Sequence, residues 1–534
     1  MLTKRLTYTA LFCLASFHVI AQDSLLLRDY HFVKQQDIWF SQPNLAALTR
    51  FSSANIVEAE ASLTKGNGDF VNYYESSNTL QGNVHMESLY RLNQRIVFFG
   101  AINYNNWSGR NMLGSAFINP ERKPFNLVED SLTNAGKKHR DTYQLTGGLG
   151  IDIWQGLSLG VRIDYTSANY AKYKDLRHKN KLMDLLLSAG FYAPVTPWLN
   201  IGADYRYHRN TESLEFATYG KSDKVYKTLI DYGAFMGMVE QFGNEGYTDK
   251  TREMPLFEDA HGGSLQLEVV PMGNLSLFGS VAFSHATGYY GRKSPYTITY
   301  TNHDRDQIKA TAALTYRSHS SIHRFGLAYS SEKLNNNAET FRGLTNANGA
   351  TYYEYYDPTE TADKRWQNVE LGYTVHWGIR HELPVWTINV NYNWMQRWQK
   401  AYLYPYYRLQ QLSNNEVGIS ATHNLVTGKG VWSFTLKGAF LKGSGEPYED
   451  GTFVAASQQT QPATMPAFLY QEYRYLTAAQ YKVGAQMKYA FIFPGTRLKT
   501  HALVGVNHCK VNEIYDYCEG NTHTQWSVGI GCTF

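Results

Sequence analysis

From Gln525 to Phe534 every second residue is apolar: Trp526, Val528, Ile530, Cys532 and Phe534 alternate with Gln525, Ser527, Gly529, Gly531 and Thr533. A period of two places the first set on one face of a β-strand and the second on the other. The same alternation recurs in pairs. Tyr143, Leu145, Leu149, Ile151 and Ile153 alternate with Thr142, Gln144, Thr146, Gly148 and Asp152, and the chain then turns at Gln155-Gly156. On the return, Leu157, Leu159, Val161, Ile163 and Tyr165 alternate with Ser158, Gly160, Arg162, Asp164 and Thr166. Residues 185–208 repeat the unit around a turn at 194–198. Neighbouring strands therefore share one apolar face, and the chain is predicted to be all-β.

Further hairpins turn near residues 271–274, 318–321, 378–384, 427–430 and 494–496, in words rich in Gly, Pro, Asn and Ser that suit tight reversals. The other connections read as long, as at residues 210–262, 331–364 and 442–471. Short turns at one end and long loops at the other are the asymmetry of a transmembrane, antiparallel, up-and-down β-barrel. Counting from strands near residues 55–63 and 84–92 gives about 18 strands, with 16 as the alternative, since both ends of the chain should emerge on one side. A soluble propeller or sandwich also has many short strands, but explains neither the loop asymmetry nor an aromatic at the end of the last strand. On this reading Ile201 faces lipid and Gly202 the lumen, so arginine should be far more damaging at 201 than at 202.

Lys4 and Arg5 precede an apolar run over residues 6–20, which reads as a secretory signal peptide cut before Gln22. Cys13 lacks the small preceding residue of a lipidation site. The expected organisation is a signal peptide at 1–21, an N-terminal arm at 22–50 and the barrel at 51–534. The net charge of +4 falls to roughly +2 once Lys4 and Arg5 are removed, which argues against nucleic acid as a partner. With a mean hydropathy of −0.42, the chain beyond the signal has no run near the roughly 20 apolar residues of a membrane helix. Aromatic residues reach 15%, enough to furnish girdles at both bilayer interfaces. The localisation expected is the outer membrane of a Gram-negative bacterium. Phe534 would be presented to the barrel-assembly machinery as a membrane-insertion signal.

Inward faces carry Asp152, Arg162, Asp164, Asp184, Asp204, Arg206, His208, Glu268, Glu370 and His376. Such charges pair with one another in a lumen or bind a solute. Arg162, Asp164, Asp184, Asp204 and Arg206 come from three consecutive strands and form the candidate constriction. The basic run with Lys172, Lys174, Arg177 and Lys179 is a candidate contact for an anion or for lipopolysaccharide phosphate, or else a solvated loop. Aromatic words at 352–357 and 402–408 suit either a stacking surface or the outer girdle. Cys509 and Cys518 flank a short loop and would form a disulfide or remain two thiols, while Cys532 falls on the lipid face. Asp204 and His208, four apart on one strand, are about 13 Å apart, too far for a direct proton relay. With no catalytic or metal-binding spacing in the sequence, no enzyme, cofactor or metal is expected. The arm holds Leu25, Leu26, Leu27, Tyr30, Phe32, Val33, Trp39 and Phe40, which need burial, and the lumen is the nearest shelter.

Residues 27–33, 109–120 and 165–180 resemble a Bacteroidota family of outer-membrane β-barrels with no assigned biochemical activity. The resemblance implies location and fold over nearly the whole mature chain. Residues 41–48 are more loosely similar to the hatch of the fatty-acid channel superfamily, and transfer no functional residue. The expected function is a passive or gated channel for a small solute, occluded by the arm and by the loop at 210–262. The alternative is a non-conducting surface scaffold that partners lipoproteins or secretion machinery. An energy-coupled receptor is disfavoured, because the arm is short and such transporters use about 22 strands.

Overall fold

In the computed structural model the alternating segments pair into one ladder. The structure describes residues 26–129, 132–219, 224–242, 248, 253–455, 461–493, 495–496 and 498–534. The expected signal peptide lies outside them. The first strands are β1 (Ile56–Asn67), β2 (Asn78–Arg91), β3 (Ile96–Met112), β4 (Gly136–Trp154), β5 (Leu157–Lys172) and β6 (Arg177–Thr196). Then come β7 (Leu199–Ala217), β8 (Met254–Met272), β9 (Leu275–Gly291), β10 (Thr299–Arg317), β11 (Ser321–Ala338) and β12 (Thr359–Trp377). The last are β13 (Trp386–Leu403), β14 (Tyr406–Thr427), β15 (Gly430–Gly445), β16 (Gln480–Ile492), β17 (Lys499–Val511) and β18 (Thr522–Thr533).

Each pairs antiparallel with its sequence neighbour, and the sheet has 19 strands because the four-residue Glu449–Thr452 extends the edge of β14. The other 18 close into a barrel when β1 pairs with β18, from Glu58 opposite Thr533 to Asn67 opposite Thr524. Val57 N–H donates to the Phe534 carbonyl at 2.8 Å, and Phe534 N–H returns the bond at 3.0 Å. Closure leaves no unpaired edge, which a lipid-facing sheet requires.

Local sequence explains the turns. Between β4 and β5, Gln155 and Gly156 both take positive φ, 47° and 88°, the handedness that a two-residue hairpin needs. The other turns expected fall at residues 273–274, 318–320, 378–385, 428–429 and 493–498. The opposite end corrects the expectation of uniformly long loops. The 210–262, 331–364 and 442–471 connections become 218–253, 339–358 and 446–479, while β5–β6 and β13–β14 are joined by only 173–176 and 404–405. Strands of up to 22 residues outrun the roughly 9–11 that cross a bilayer, because the backbone ladder continues after the outward residues turn polar.

The outward face carries an apolar belt that includes Leu63, Val84, Ile102, Leu265, Leu436 and Ile530, the last three 66–70% exposed. A belt this continuous needs a non-aqueous surrounding. The inward face is packed at both ends. At the turn end sit helix α1 (Tyr30–Gln35) and the 3₁₀ turns Ile38–Ser41 and Leu45–Arg50, with Tyr30, Val33, Phe40, Leu45, Leu48 and Phe51 buried against Ile56, Leu89 and Val97. At the loop end, a four-stranded sheet of Asn126–Glu129, Lys227–Gly233, Met236–Gln241 and Ala463–Thr464 folds in, followed by helix α2 (Pro466–Thr477). Leu127, Tyr232 and Met236 of this sheet, with Phe117 and Phe125 of the β3–β4 connection, pack on the wall residues Leu214, Phe216, Leu256, Ala362 and Ala401.

Candidate functional site

The arm rests on a cradle of glycines. Gly148 and Gly150 on β4, Gly160 on β5, Gly190 on β6 and Gly202 on β7 all point inward, beneath residues 39–48. A Cβ on Gly160 would overlap the Ala46 nitrogen and Leu45 carbonyl carbon, and one on Gly150 would lie 2.6 Å from the Leu45 carbonyl oxygen. A Cβ on Gly190 would sit 2.6 Å from Asn44 Oδ1, and one on Gly202 2.9 Å from the Trp39 ring. Only a bare backbone lets the arm approach this closely.

Polar groups then fix its register. Asn44 caps the Leu45–Arg50 turn, its Oδ1 accepting from Ala46 N–H at 3.1 Å, while its Nδ2 donates to the Phe191 carbonyl and to Gln266 Oε1, each at 2.9 Å. Trp39 Nε1 donates to Glu268 at 2.8 Å, and its ring meets Tyr192 and Phe278 edge-on. Arg50 pairs with Asp37 at 2.8 Å and Lys34 with Glu87 at 2.5 Å. Arg28 pairs with Glu382 at 2.5 Å.

The five candidate constriction residues all face the lumen, as expected. They form three separately balanced groups whose bonds do not join into one network. Arg162 pairs with Asp164 at 2.6 Å, and Asp164 also accepts from Thr146. Asp184 takes His208 at 2.9 Å and Asn210 at 2.6 Å. Arg206 pairs with Asp204 at 2.5 Å, and Asp204 also accepts from Ser264 and Gln266, next to Asn44 of the arm. These charges are satisfied on the protein itself.

The basic run is likewise divided by strand parity. Lys172 turns inward and forms a buried pair with Glu129 of the inserted sheet at 2.5 Å. Arg177 pairs with Asp175 at 2.8 Å and covers the Tyr219 ring, and Lys174 donates to the Thr133 carbonyl at 3.0 Å. Lys179 faces outward and is exposed. The run is therefore not one surface patch, because alternate residues of β5 and β6 look to opposite sides. Cys509, Cys518 and Cys532 are free thiols, which decides between the two alternatives left open for the first two. Cys532 faces outward and Cys509 inward.

Wall cations grip the inserted loops as well. Arg397 forms two bonds to Glu472 of α2, at 2.9 and 2.7 Å. In the reverse sense Lys123 of the β3–β4 connection pairs with the wall's Glu212 at 2.9 Å, while Lys138 Nζ of the wall donates to the Leu113 and Ser115 carbonyls. Beneath these insertions, walled mainly by β13–β18, β1 and β2 with Trp107, Arg140 and Tyr170 of β3–β5, lies a cavity of about 1040 Å³. Gln81, Asn391, Ser420, Lys437, Asn507 and Gln525 line its wall, with Phe70, Tyr74 and Tyr475 above. Sequence reasoning missed this set. Parity alone turns these residues inward, but nothing in the alternation says which arc of wall the insertions leave bare.

A closed 18-strand barrel with its own N-terminal segment and outer loops folded into the lumen defines the class. The chain belongs to a family described as a family of unknown function (DUF6850), whose pattern matches residues 45–534. No curated protein matches it in sequence. Among solved structures it is similar to the outer membrane transporter YddB from Escherichia coli, at 7% identity, 91% of this chain, 81% of that one and a TM-score of 0.41. It is also similar to the alcaligin outer membrane receptor FauA from Bordetella pertussis, at 8%, 89%, 76% and 0.40. The siderophore receptor PiuA from Acinetobacter baumannii gives 8%, 90%, 82% and 0.39.

Proposed function

We propose that this chain is an outer-membrane barrel that passes a small polar solute through a gated lumen, with the N-terminal arm as the gate at the turn end. The observation that carries the reading is the cavity, lined by polar and apolar side chains alike, that the loop-end insertions leave open in the lumen. A barrel that served only as a wall could fill that space with side chains, as smaller barrels do. The arm is tied by discrete polar contacts and a glycine bed, so it can leave without unravelling the ladder. Its short length and the 18 strands separate it from the 22-stranded plugged transporters.

Liposome swelling tests this. Vesicles holding a variant that lacks residues 26–50 should admit small sugars faster than vesicles holding the full chain. Equal, background swelling with both folded proteins would sink the reading.

One observation favours a second role. The hairpin of Phe341–Thr345 and Thr351–Tyr355 pairs only with itself among the described strands and exposes Tyr352, Tyr355 and Tyr356. A surface scaffold for lipoproteins would use such a projection.

A further inference from the structure

The lumen is asymmetric in how its polar groups are used. On β5–β8 the charges are balanced by neighbours, as described above. On the cavity side the amides of Gln81, Asn391, Asn507 and Gln525 make no hydrogen bond to protein among the described residues, although all four line open space. Lys437 projects from β15 between Ser420 and Gly484 of the flanking strands, exposed to the cavity and without an ion-pair partner among the described residues. Arg140 stands over the Trp107 ring at 5.6 Å, its Nε buried without an acceptor. Lys482 is matched by Glu416 at 2.5 Å.

The cavity's charged lining is thus three cations, Arg140, Lys437 and Lys482, against Glu75 and Glu416. Glu75 sits in the β1–β2 loop, where burial holds its carboxyl above the usual range. The roof offers a different chemistry. Phe70 and Tyr475 lie with ring centroids 5.5 Å apart, presenting aromatic surface to the space below. Unpaired amides suit hydroxyl groups, aromatic faces suit the C–H face of a sugar ring, and an ammonium without an ion-pair partner suits one anionic group.

We propose that this cavity binds a small hydroxylated solute carrying one negative charge, with its hydroxyls on the amides and its anionic group on Lys437. The chemistry is that of a sugar acid or a sugar phosphate. The site rests on the transport reading for its purpose, but its occupancy is measured without a membrane.

Isothermal titration of the full chain in detergent with glucuronate, glucose 6-phosphate and glucose separates the cases. At least one of the two anions should bind about tenfold tighter than glucose, the worth of one charged hydrogen bond. The tighter of the two identifies carboxylate or phosphate as the group held. Lys437→Gln should abolish that preference, bringing the favoured anion to within about twofold of glucose measured on the same variant. Glucose binding as tightly as both anions, binding by none of the three, or a preference that survives Lys437→Gln would each overturn the proposal. Should that variant fail to fold, the comparison on the parent protein still decides. Binding without vesicle uptake would refute transport and leave the site standing, and uptake without binding would do the reverse.

Discussion

Gly160 is the residue on which the arm's seat depends most, because a side chain there would meet backbone atoms of Leu45 and Ala46 that no rotamer can move aside. Valine suits a strand, so Gly160→Val should still give a barrel, with the arm lifted at the roughly 1–3 kcal/mol typical of overpacking. A protease added at the turn end should then cut the arm about tenfold faster or more. Gly372, with nothing within 4 Å of its would-be Cβ, is the matched control and should leave the rate unchanged. An unchanged rate in Gly160→Val would mean that the cradle is not what holds the arm. At the loop end the corresponding residue is Lys172. Lys172→Met takes the ammonium away from the buried Glu129 carboxylate, a loss of about 3–5 kcal/mol when one partner of a buried pair is removed. Hydrogen exchange at Asn126–Glu129 should accelerate, and Lys172→Met with Glu129→Gln should recover much of the protection. Protection that does not change in the single variant would deny the pair its docking role.

The strand is the element whose facing was legible in sequence. Period two assigned Ile201 outward and Gly202 inward correctly, and all ten inward charges lie where the alternation put them. The expectation that arginine would be tolerated at Gly202 does not survive, because Trp39 and Asn44 occupy that space. A cleaner pair lies on β12. Leu371→Arg puts a charge in the apolar belt at about 2–4 kcal/mol near the bilayer midplane, whereas Gly372→Arg points into open lumen. Heat-modifiable, folded protein should fall in the first and persist in the second. Equal losses would mean that the register is wrong. The ends of strands were not legible. Lys333 and Asn335 of β11 are outward residues that no longer look apolar, yet their backbone still pairs with β12 and with β10. The cavity was illegible for a related reason. Asn391 and Asp204 are both inward polar residues in an alternating strand, and only the position of the arm and loops makes one free and the other buried.

For the whole molecule, closure and filling are separate achievements. Closure depends on β18 meeting β1 up to its last residue, where Phe534 and Val57 exchange both backbone bonds. Deleting Phe534 removes that pair and the aromatic beside it, and should sharply lower folded barrel in the membrane. Wild-type amounts of heat-modifiable protein would remove Phe534 from any role in assembly. Filling depends on the arm at one end and the loop-end sheet and α2 at the other, each with its own buried core. Because Asn44 and Leu45–Arg50 lie directly on the glycine bed, a truncation that stops at Trp39 would leave the seat occupied, so the cut must run through Arg50. Single-channel conductance of the full chain and of the variant lacking residues 26–50, each shown to be folded, tests the gating claim most directly. The full chain should be closed for most of the record, and the truncated barrel should show long-lived, larger openings. A folded truncated barrel that conducts no more than its parent would contradict it.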